Sequence, residues 1–388
     1  MKTLAIVTTH PIQYNAPWFR MLAQRKNIKI KVFYTWSQSQ NSVKDHTFGK
    51  DIKWDIPLLE GYDYTFVENK AKQPGSHHFF GIDCPKLIPE ISKLQPDAIL
   101  MFGWNFKSHF AVMRYFKGKI PIWFRGDSTL IDEAKGFKTT LRRLVLKVVY
   151  SYVDKALYVG KANKAYFLKH GLKQNQLTYV PHAIDNNRFA IDTLVDYKQE
   201  AKNWKINLGY NLQDLVVLFA GKFEPKKQPE FLIKAIEKAN KKRADKLHLL
   251  MVGHGPLEKE LKVANKENTY IKFLPFQNQT KMPILYRVCS IFCLPSKGPG
   301  ETWGLAVNEA MASGIPVIVT DKVGCASDLV AHNENGYIVP SNNLDELTTI
   351  FVNLSENDLD YMSKNATKTI KKWNFVDIVE PIEQLLTN

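Results

Sequence analysis

The sequence predicts an α/β protein with two successive domains, each built on buried parallel strands. Short apolar runs alternate with helical segments along the chain, as expected for such strands joined by crossover helices. The alternation starts again after a polar linker and short helix at 190–213, so the chain divides into two α/β halves. At 388 residues, 45% of them hydrophobic, the chain can form two cores. We predict domains over residues 1–190 and 191–371.

The segment 291–320 shows the pattern most clearly. Residues 291–294 are apolar and predict a buried strand. A short helix over 304–313, ended by Gly314, and a second strand over 315–320 follow. The loop between the first strand and the helix lies at a carboxyl strand end, where open α/β sheets bind ligands. Because a helix N-terminus offers unpaired N–H groups and partial positive charge, this loop predicts a phosphate site.

The remaining elements of the first half follow the same periodicity. Strands are predicted at 2–9, 28–35, 97–102, 120–124, 156–159 and 177–180, and helices at 18–24, 85–94, 107–116, 138–153 and 161–170. Residues 36–80 are polar, rich in aromatic and turn-forming residues and without a clear period. We assign no element there and expect this stretch to shape a binding pocket.

The second half is predicted in the same way. Strands are expected at 214–220, 247–252, 270–274, 291–294 and 315–320, with a short one within 335–340. Helices are expected at 229–240, 282–288, 304–313, 344–354, 359–371 and 375–386.

Two glutamates accompany the predicted helix at 304–313. Glu301 lies in the loop before it and Glu309 lies inside it. Sugar and ribose hydroxyls are donors that carboxylates accept strongly, so a phosphate site beside two carboxylates indicates a sugar nucleotide. The alternative is an ordinary helix, with Glu301 as a partner of the helix dipole and Glu309 on a solvated face.

The residues of this segment resemble a known family signature. Glu301-x7-Glu309, continued by Ala-Met-Ala-Ser-Gly-Ile-Pro-Val-Ile, resembles the motif of the retaining GT-B-fold glycosyltransferases related to glycogen synthase and sucrose synthase, glycosyltransferase family 4. The segments 181–189, 221–229 and 252–256 are similar to that family's PNGVDxxxF, GRLxxxKG and VGxGP motifs. The resemblance is specific over 177–340 and diffuse over 1–176.

This resemblance implies a fold and an activity. The fold would be GT-B, with two Rossmann-like domains facing each other across a cleft and a helix at 372–388 that crosses back to the first domain. The C-terminal domain would bind a nucleotide-diphospho-sugar and the N-terminal domain the acceptor. Sugar transfer would proceed with retention of configuration at the anomeric carbon.

The resemblance also implies roles for residues of the second domain. Glu301 would orient the donor sugar, and Glu309 would contact the ribose. Lys222 and Lys227 take the positions of an Arg and a Lys that grip the diphosphate, while Gln228 replaces a Gly. A lysine loses the bidentate fork of an arginine but still offers a point charge to phosphate. The implied donor-binding residues are Gly221, Gly253, His254, Gly255, Pro275, Phe276, Thr302, Trp303, Gly304, Leu305 and Glu309.

In the first domain, the candidate site residues are those that follow predicted strands. The resemblance implies an acceptor-binding role for His10, Gln13, Gly103 and Trp104. Relatives often carry a glycine-rich loop where this chain has His10 and Gln13. A turn capped by His10 is the alternative there.

Either Arg125 or Asp127 occupies the place where many relatives have a histidine near the sugar. Arg125 could face the diphosphate or an anionic acceptor, and Asp127 could accept from an acceptor hydroxyl. They therefore join Glu301, Lys222 and Lys227 as candidate catalytic residues. The alternative is a turn in which Asp127 caps a helix.

No Asp-x-Asp occurs in the stretches that resemble donor motifs, and cationic side chains can replace a metal ion. We therefore expect an enzyme without a metal or other cofactor. Two other classes stay open. One is a nucleotide-sugar hydrolase or epimerase on the same fold, and the other is a non-catalytic protein that binds sugar nucleotides.

The formal net charge of +15 indicates a polyanionic partner. The sequence contains no zinc spacing, RNP-like run or basic-region heptads, so nucleic acid is not expected. Segment 138–153 predicts a basic amphipathic helix carrying Lys138, Arg142, Arg143 and Lys147. These charges predict docking of a cytoplasmic protein on the anionic inner face of the plasma membrane, with a saccharide or lipid-linked saccharide as acceptor in envelope polysaccharide synthesis. The alternative, a helix that packs on the core and has a solvated basic face, is favoured over deep insertion of the helix into the membrane.

Overall fold

The structure, a computed structural model, describes residues 1–39, 43–45, 50–52, 54–190 and 195–388. The described chain forms two compact units. The first contains the residues up to His182 together with Phe375–Asn388, and the second contains Ala183–Asn374. Among the described residues, no helix is both long and apolar enough to cross a bilayer.

The strands of the first unit belong to a parallel sheet and a two-stranded antiparallel pair. They are β1 (Lys2–Thr8), β2 (Ile28–Tyr34), β3 (Val43–Asp45), β4 (Lys50–Ile52), β5 (Asp63–Phe66), β6 (Ala98–Phe102), β7 (Ile122–Arg125), β8 (Lys155–Tyr158) and β9 (Leu177–Tyr179). The parallel sheet has the order β5-β2-β1-β6-β7-β8-β9, and β3 pairs with β4. The chain moves outward from β1 in both directions, so the strand order reverses between β1 and β6.

The helices of the first unit are α1 (Ala16–Ala23), α2 (Leu87–Leu94), α3 (Lys107–Phe116), α4 (Phe137–Tyr150) and α5 (Lys161–Lys169). Strand β1 lies in the centre of the sheet, and Leu4, Ala5, Ile6 and Val7 are fully buried. A run that is apolar at every position suits a strand covered on both faces, which explains why it does not alternate.

The structure adds β5 within the stretch to which the sequence assigned no element. Tyr34 at the end of β2 stacks on Phe66 with ring centroids 5.1 Å apart, and its hydroxyl lies 2.7 Å from that of Tyr62. These contacts join residues about thirty positions apart in the chain. Local periodicity therefore could not reveal this edge strand.

The second unit contains one parallel sheet and the helices that cover it. Its strands are β10 (Val216–Ala220), β11 (His248–Val252), β12 (Ile271–Leu274), β13 (Ile291–Leu294), β14 (Val317–Thr320) and β15 (Gly336–Val339). Its helices are α6 (Asn186–Ala190), α7 (Tyr197–Asn207), α8 (Pro229–Asn240), α9 (Glu258–Ala264), α10 (Met282–Val288), α11 (Leu305–Ala312), α12 (Ala326–Leu329), α13 (Leu344–Asn353) and α14 (Glu356–Ile370). The strand order is β12-β11-β10-β13-β14-β15, so this sheet reverses between β10 and β13.

The first division between the units lies before residue 190, the end of the predicted first domain. Helix α6 belongs to the second unit because Phe189 is buried against Tyr286, with ring centroids 6.1 Å apart. Arg188 donates to the carbonyl of Gln279 at 2.7 Å, and Arg287 donates to the carbonyl of Phe189 at 2.6 Å. These contacts attach the end of the PNGVDxxxF-like segment to α10 and the loop before it.

The final helix, α15 (Val376–Thr387), belongs to the first unit and packs on α1, β1 and β2. Its buried residues are Ile378, Val379, Ile382 and Leu386. Arg25 lies 3.6 Å from the carboxylate of Glu383 and 3.9 Å from that of Glu380. The chain therefore returns to the first unit at Phe375, three residues after the predicted start of this segment at 372.

Candidate functional site

The point of strand reversal in the second sheet brings together two loops that are distant in sequence. The loop after β10 carries Lys222 and Lys227, and the loop after β13 carries Glu301. Strands β10 and β13 are neighbours, with Val217 opposite Ile291 and Leu218 opposite Phe292. In an open α/β sheet the crevice at such a reversal is the usual ligand site.

A lysine and a glutamate meet at this point. The Nζ of Lys227 donates to Oε2 of Glu301 at 2.8 Å, and the hydroxyl of Ser296 donates to the same oxygen at 3.0 Å. Their side chains are largely shielded, with 17% of Lys227 and 11% of Glu301 exposed. Ion pairs that water reaches poorly are screened less than surface pairs, so this contact orients both side chains.

Local backbone geometry positions Lys227. Gln228 follows it with φ +52°, in the left-handed region that favours glycine. Glycine, the residue of the GRLxxxKG motif at this position, adopts this conformation without steric cost. Pro229 then begins α8, where its missing N–H costs nothing. The aliphatic part of the Lys227 side chain packs close to Gly221. A Cβ added to Gly221 would lie 3.4 Å from the Cδ of Lys227.

The turn after β14 donates two backbone hydrogen bonds to the loop before α11. The N–H groups of Gly324 and Cys325 each donate at 2.9 Å, to the carbonyls of Glu301 and Trp303 respectively. A Cβ on Gly324 would lie 1.7 Å from the carbonyl oxygen of Thr302, so only glycine permits this approach. The Glu301–Trp303 backbone is thereby fixed in front of the helix.

Helix α11 begins directly after this loop. Gly304 precedes it with φ +96° and is its N-cap residue, so Leu305 opens the helix. The side chain of Trp303 is buried, and its indole N–H donates to Asn308 at 2.9 Å. Trp303 can therefore serve a donor substrate through its backbone only, as the family resemblance implies for this loop.

Glu309 does not lie on a solvated face, so that alternative is wrong. Only 3% of the residue is exposed, and the hydroxyl of Tyr286 donates to its Oε2 at 2.9 Å. Tyr286 is itself fully buried on α10. A buried carboxylate needs such partners, because an unpaired charge in an apolar interior is costly.

The predicted donor-binding glycines of the β11 loop lie against the β10 loop. A Cβ on Gly253 would be 2.0 Å from the carbonyl oxygen of Gly221, and one on Gly255 would be 2.5 Å from that of Phe223. The N–H of Phe223 donates to the carbonyl of His254 at 2.8 Å. These contacts hold the lysine-bearing loop in place.

His254 connects this pair of loops to the loop after β12. Its Nε2 accepts from the N–H of Phe276 at 3.3 Å, which assigns the proton to Nδ1. Nδ1 lies 2.9 Å from the carboxylate of Glu258 and donates to it. Burial would raise the pKa of Glu258, but hydrogen bonds from Lys262 and His254 outweigh it and lower that pKa. The loop residues Pro275 and Phe276 are thus anchored at the same edge of the sheet.

In the first unit the predicted acceptor residues lie at the other strand reversal. His10 and Gln13 follow β1, and Gly103 and Trp104 follow its neighbour β6. His10 contacts the hydroxyl of Thr9 at 2.9 Å and the ring of Trp36 edge-on at 5.4 Å. The structure therefore groups these residues at the position where a sheet of this order binds ligands.

A histidine that the sequence did not single out organises this edge. His109 on α3 is fully buried, and its Nδ1 donates to the carbonyls of Gly103 at 3.0 Å and Phe102 at 3.2 Å. Its Nε2 lies 2.8 Å from the hydroxyl of Thr35 and accepts from it. Burial lowers the pKa of His109 to about 4, so the ring is neutral near pH 7. A histidine on the apolar face of a helix was the available signal.

The position of Arg125 does not support the expected contact with a diphosphate or an anionic acceptor. The residue is buried, and its two terminal nitrogens donate to the carbonyls of Val180 at 2.8 Å and Pro181 at 2.9 Å. Burial lowers the pKa of Arg125 to about 10, which leaves the guanidinium charged near neutrality. This geometry gives Arg125 a structural role at the end of β9, in place of contact with a diphosphate or an anionic acceptor.

Asp127 remains more accessible. No helix begins at this residue, so the N-cap alternative is wrong. Its Oδ2 lies 3.7 Å from Nε2 of His182, and 46% of the aspartate side chain is exposed. Burial lowers the pKa of His182, while the nearby carboxylate of Asp127 opposes that change. Asp127 and His182 thus lie close together beside the carboxyl ends of β7 and β9.

The sequence of the second unit matches a known family. Residues 200–373 match the model of Glycosyl transferases group 1. A stretch of 162 residues is 28% identical to the phosphatidyl-myo-inositol mannosyltransferase of Mycobacterium tuberculosis, covering 42% of this chain and 39% of that protein. A stretch of 139 residues is 32% identical to an uncharacterized glycosyltransferase of Haemophilus influenzae, covering 35% of this chain and 38% of that protein. The match spans about two fifths of each relative's length.

Solved structures resemble the whole chain in fold. Anabaena Alr3699/HepE, solved in complex with UDP, aligns with a TM-score of 0.71 and 17% identity over 100% of both chains. Sucrose-phosphate synthase from Thermosynechococcus elongatus aligns with a TM-score of 0.70 and 16% identity over 99% of this chain and 98% of that one. The predicted fold class, α/β with two Rossmann-like domains of the GT-B type, is therefore confirmed. Its second unit carries the sequence pattern of group 1 glycosyltransferases.

Proposed function

We propose that the protein is a retaining glycosyltransferase of family 4. It moves a sugar from a nucleotide-diphospho-sugar to a hydroxyl of a saccharide or lipid-linked saccharide. The observation that carries this proposal is the contact between Lys227 and Glu301 at the strand reversal of the second sheet. This contact supports the proposal because an ammonium group suited to a diphosphate lies beside a carboxylate suited to sugar hydroxyls, next to the N-terminus of α11.

The chemistry follows from that arrangement. As the bond from the anomeric carbon to the diphosphate breaks, negative charge builds on the departing phosphate oxygens. Lys227, Lys222 and the first N–H groups of α11 stabilise this charge, and they need no reorganisation because the loops are already fixed. Glu301 accepts hydrogen bonds from the donor sugar and orients it toward the acceptor. It does not form a covalent bond with the sugar.

Glu309 is proposed to reach the ribose. It lies in the second turn of α11, and its carboxylate accepts a hydrogen bond from Tyr286. A carboxylate already bonded on one oxygen can still accept from ribose hydroxyls through its remaining lone pairs. Such a pre-oriented acceptor binds the nucleotide without taking part in bond breaking.

The test is a transfer assay with nucleotide sugars chosen by a thermal-shift screen. A donor that binds the folded protein at 100 times its Kd should stabilise it by about 2.7 kcal/mol. With a suitable saccharide acceptor, we expect release of nucleoside diphosphate and a product with the same anomeric configuration as the donor, read by NMR.

Each other result identifies a different class. Equal release of free sugar with and without acceptor would indicate a hydrolase. Conversion of the nucleotide sugar to an isomer would indicate an epimerase. Binding without either reaction, across a broad acceptor panel, would indicate a binding protein.

We further propose that transfer is independent of divalent metal. The positive charge on the lysine-bearing loop and at the start of α11 takes the place of a cation at the diphosphate. Rates in excess EDTA are expected to equal rates with magnesium. A large loss in EDTA that magnesium or manganese restores would contradict this prediction, and an unrelated metal-dependent transferase in the same buffers is the control.

The acceptor and the cellular location are proposed from charge. The net charge of +15 suits an anionic partner, and a lipid-linked saccharide presents one at a membrane surface. We therefore place the enzyme in the cytoplasm, bound to the inner face of the plasma membrane during envelope polysaccharide synthesis.

A further inference from the structure

Helix α4 presents an apolar stripe that no described part of the chain covers. Its large apolar residues are unusually exposed: Phe137 83%, Leu141 53%, Leu144 58%, Val145 47% and Val148 57%. Their spacing of three and four residues places them on one face of the helix. Single exposed apolar residues are common on protein surfaces, but a contiguous patch of this kind marks an interaction site.

The opposite face of α4 packs against the first unit. Leu146, Val149 and Tyr150 are buried there. Arg143 pairs with Glu133, and Arg142 donates to the hydroxyl of Tyr166 at 3.3 Å. The sequence predicted that both arginines dock on lipid together with two lysines. In the structure Arg143 is paired with Glu133, whereas Arg142 stays exposed and bonds Tyr166 through one nitrogen only.

The two lysines flank the exposed stripe. At about 100° per residue, Lys138 lies on one side of the stripe and Lys147 on the other. Both residues are exposed. An apolar face bordered by lysines is the pattern of a helix that lies in the plane of a membrane interface.

We propose that α4 lies in the interfacial region of an anionic bilayer. The stripe of Phe137, Leu141, Leu144, Val145 and Val148 enters the boundary between headgroups and acyl chains, and Lys138 and Lys147 contact lipid phosphates. This inference rests on the proposed function in one respect only: a lipid-linked acceptor would be present at the membrane that α4 contacts. A second copy of the chain is a poorer occupant, because pairing two such stripes brings their flanking lysines together, whereas anionic headgroups neutralise them.

The proposal predicts a different effect of salt on vesicle binding than docking by charge alone. Docking by charge alone is lost when salt shortens the Debye length to about 3 Å at 1 M. Burial of apolar surface does not weaken in this way. A substantial part of the binding to anionic vesicles should therefore persist at high salt, in contrast to the behaviour expected from the basic residues alone.

The first test measures partition of the full chain onto vesicles of phosphatidylglycerol and phosphatidylcholine by sedimentation. Leu141→Gln/Leu144→Gln/Val148→Gln should lower the partition coefficient about tenfold or more at both low and high salt. The matched control is Ile206→Gln/Val263→Gln, which changes apolar residues of 55% and 62% exposure on α7 and α9 and should bind like wild type. Equal binding of the triple variant and wild type overturns the proposal.

Folding and function are monitored separately. The triple variant should keep the wild-type melting temperature and the wild-type thermal shift with a nucleotide sugar. If wild type binds no nucleotide sugar but still inserts α4 into vesicles, the proposed function fails and this inference stands. If sugar transfer is observed but the protein does not bind vesicles, this inference fails and the proposed function stands.

A second test reports insertion directly. The native cysteines Cys84, Cys289, Cys293 and Cys325 are all buried, so Leu144→Cys can be labelled selectively with an environment-sensitive fluorophore. Emission should shift to the blue with anionic vesicles and be quenched by spin-labelled lipid, while labelled Val263→Cys should show neither change. Unchanged emission from position 144 in vesicle-bound protein overturns insertion. So does a lipid-free dimer, seen by analytical ultracentrifugation, that the triple variant dissociates.

Discussion

Lys227→Ala is expected to lower kcat/KM for the nucleotide sugar by about 10²- to 10³-fold, as when one preorganised donor to a developing anion is removed. Two effects combine. The departing diphosphate loses its cation, and Glu301, only 11% exposed, loses the ammonium group 2.8 Å away. The unpaired carboxylate would then repel the donor phosphates. Steady-state kinetics with the donor identified by thermal shift measures the change.

The neighbouring lysine gives a matched control. Lys226 is 36% exposed and lies 3.5 Å from Glu224, so Lys226→Ala should change kcat/KM little. The double variant Lys227→Ala/Glu301→Gln removes both partners, and its loss should be smaller than the product of the two single losses. A folded Lys227→Ala protein with wild-type kcat/KM would sink the assignment of Lys227 to the diphosphate.

Glu301→Gln is expected to lower kcat by about 100-fold, because the charge that orients the reacting sugar is lost. Glu309→Gln should instead raise the donor KM with kcat nearly unchanged, since a ribose contact is made equally in the ground and transition states. Kinetic constants for both variants, measured over a range of donor concentrations, separate the two roles.

Tyr286→Phe separates a ribose contact of Glu309 from a purely structural role. It removes the hydroxyl that donates to Glu309 at 2.9 Å but keeps the carboxylate. If Glu309 acts on the ribose, Glu309→Gln should raise KM more than Tyr286→Phe does at similar melting temperature. The division of roles is wrong if Glu301→Gln and Glu309→Gln both change KM alone.

The sequence located most strands and helices of both units, because their signals are local. The apolar runs of β1 and β13 predict strands that are buried on both faces. The resemblance of two segments to the GRLxxxKG and Glu-x7-Glu motifs of family 4 implied roles for Lys227 and Glu301. The helix at α10 was predicted with the observed bounds, Met282–Val288.

Other features depend on which elements happen to be neighbours. Arg125 was expected to face a ligand, yet the end of β9 supplies two carbonyl groups that bind its guanidinium. His109 passed unnoticed because only the fold places the carbonyls of Phe102 and Gly103 and the hydroxyl of Thr35 around it. In α4 the sequence shows apolar and basic residues, but exposure depends on which face the rest of the unit covers.

By itself, the sequence determined the alternation of elements, the glycine positions that tight loops require and the chemical types at the candidate site. These follow from periodicity, backbone sterics and residue chemistry within a few turns of chain. Only the tertiary structure decided that Lys227 and Glu301, 74 residues apart, touch. That contact exists because β10 and β13 pair across the reversal of strand order. Strand order is set by the packing of whole elements, which no local pattern records.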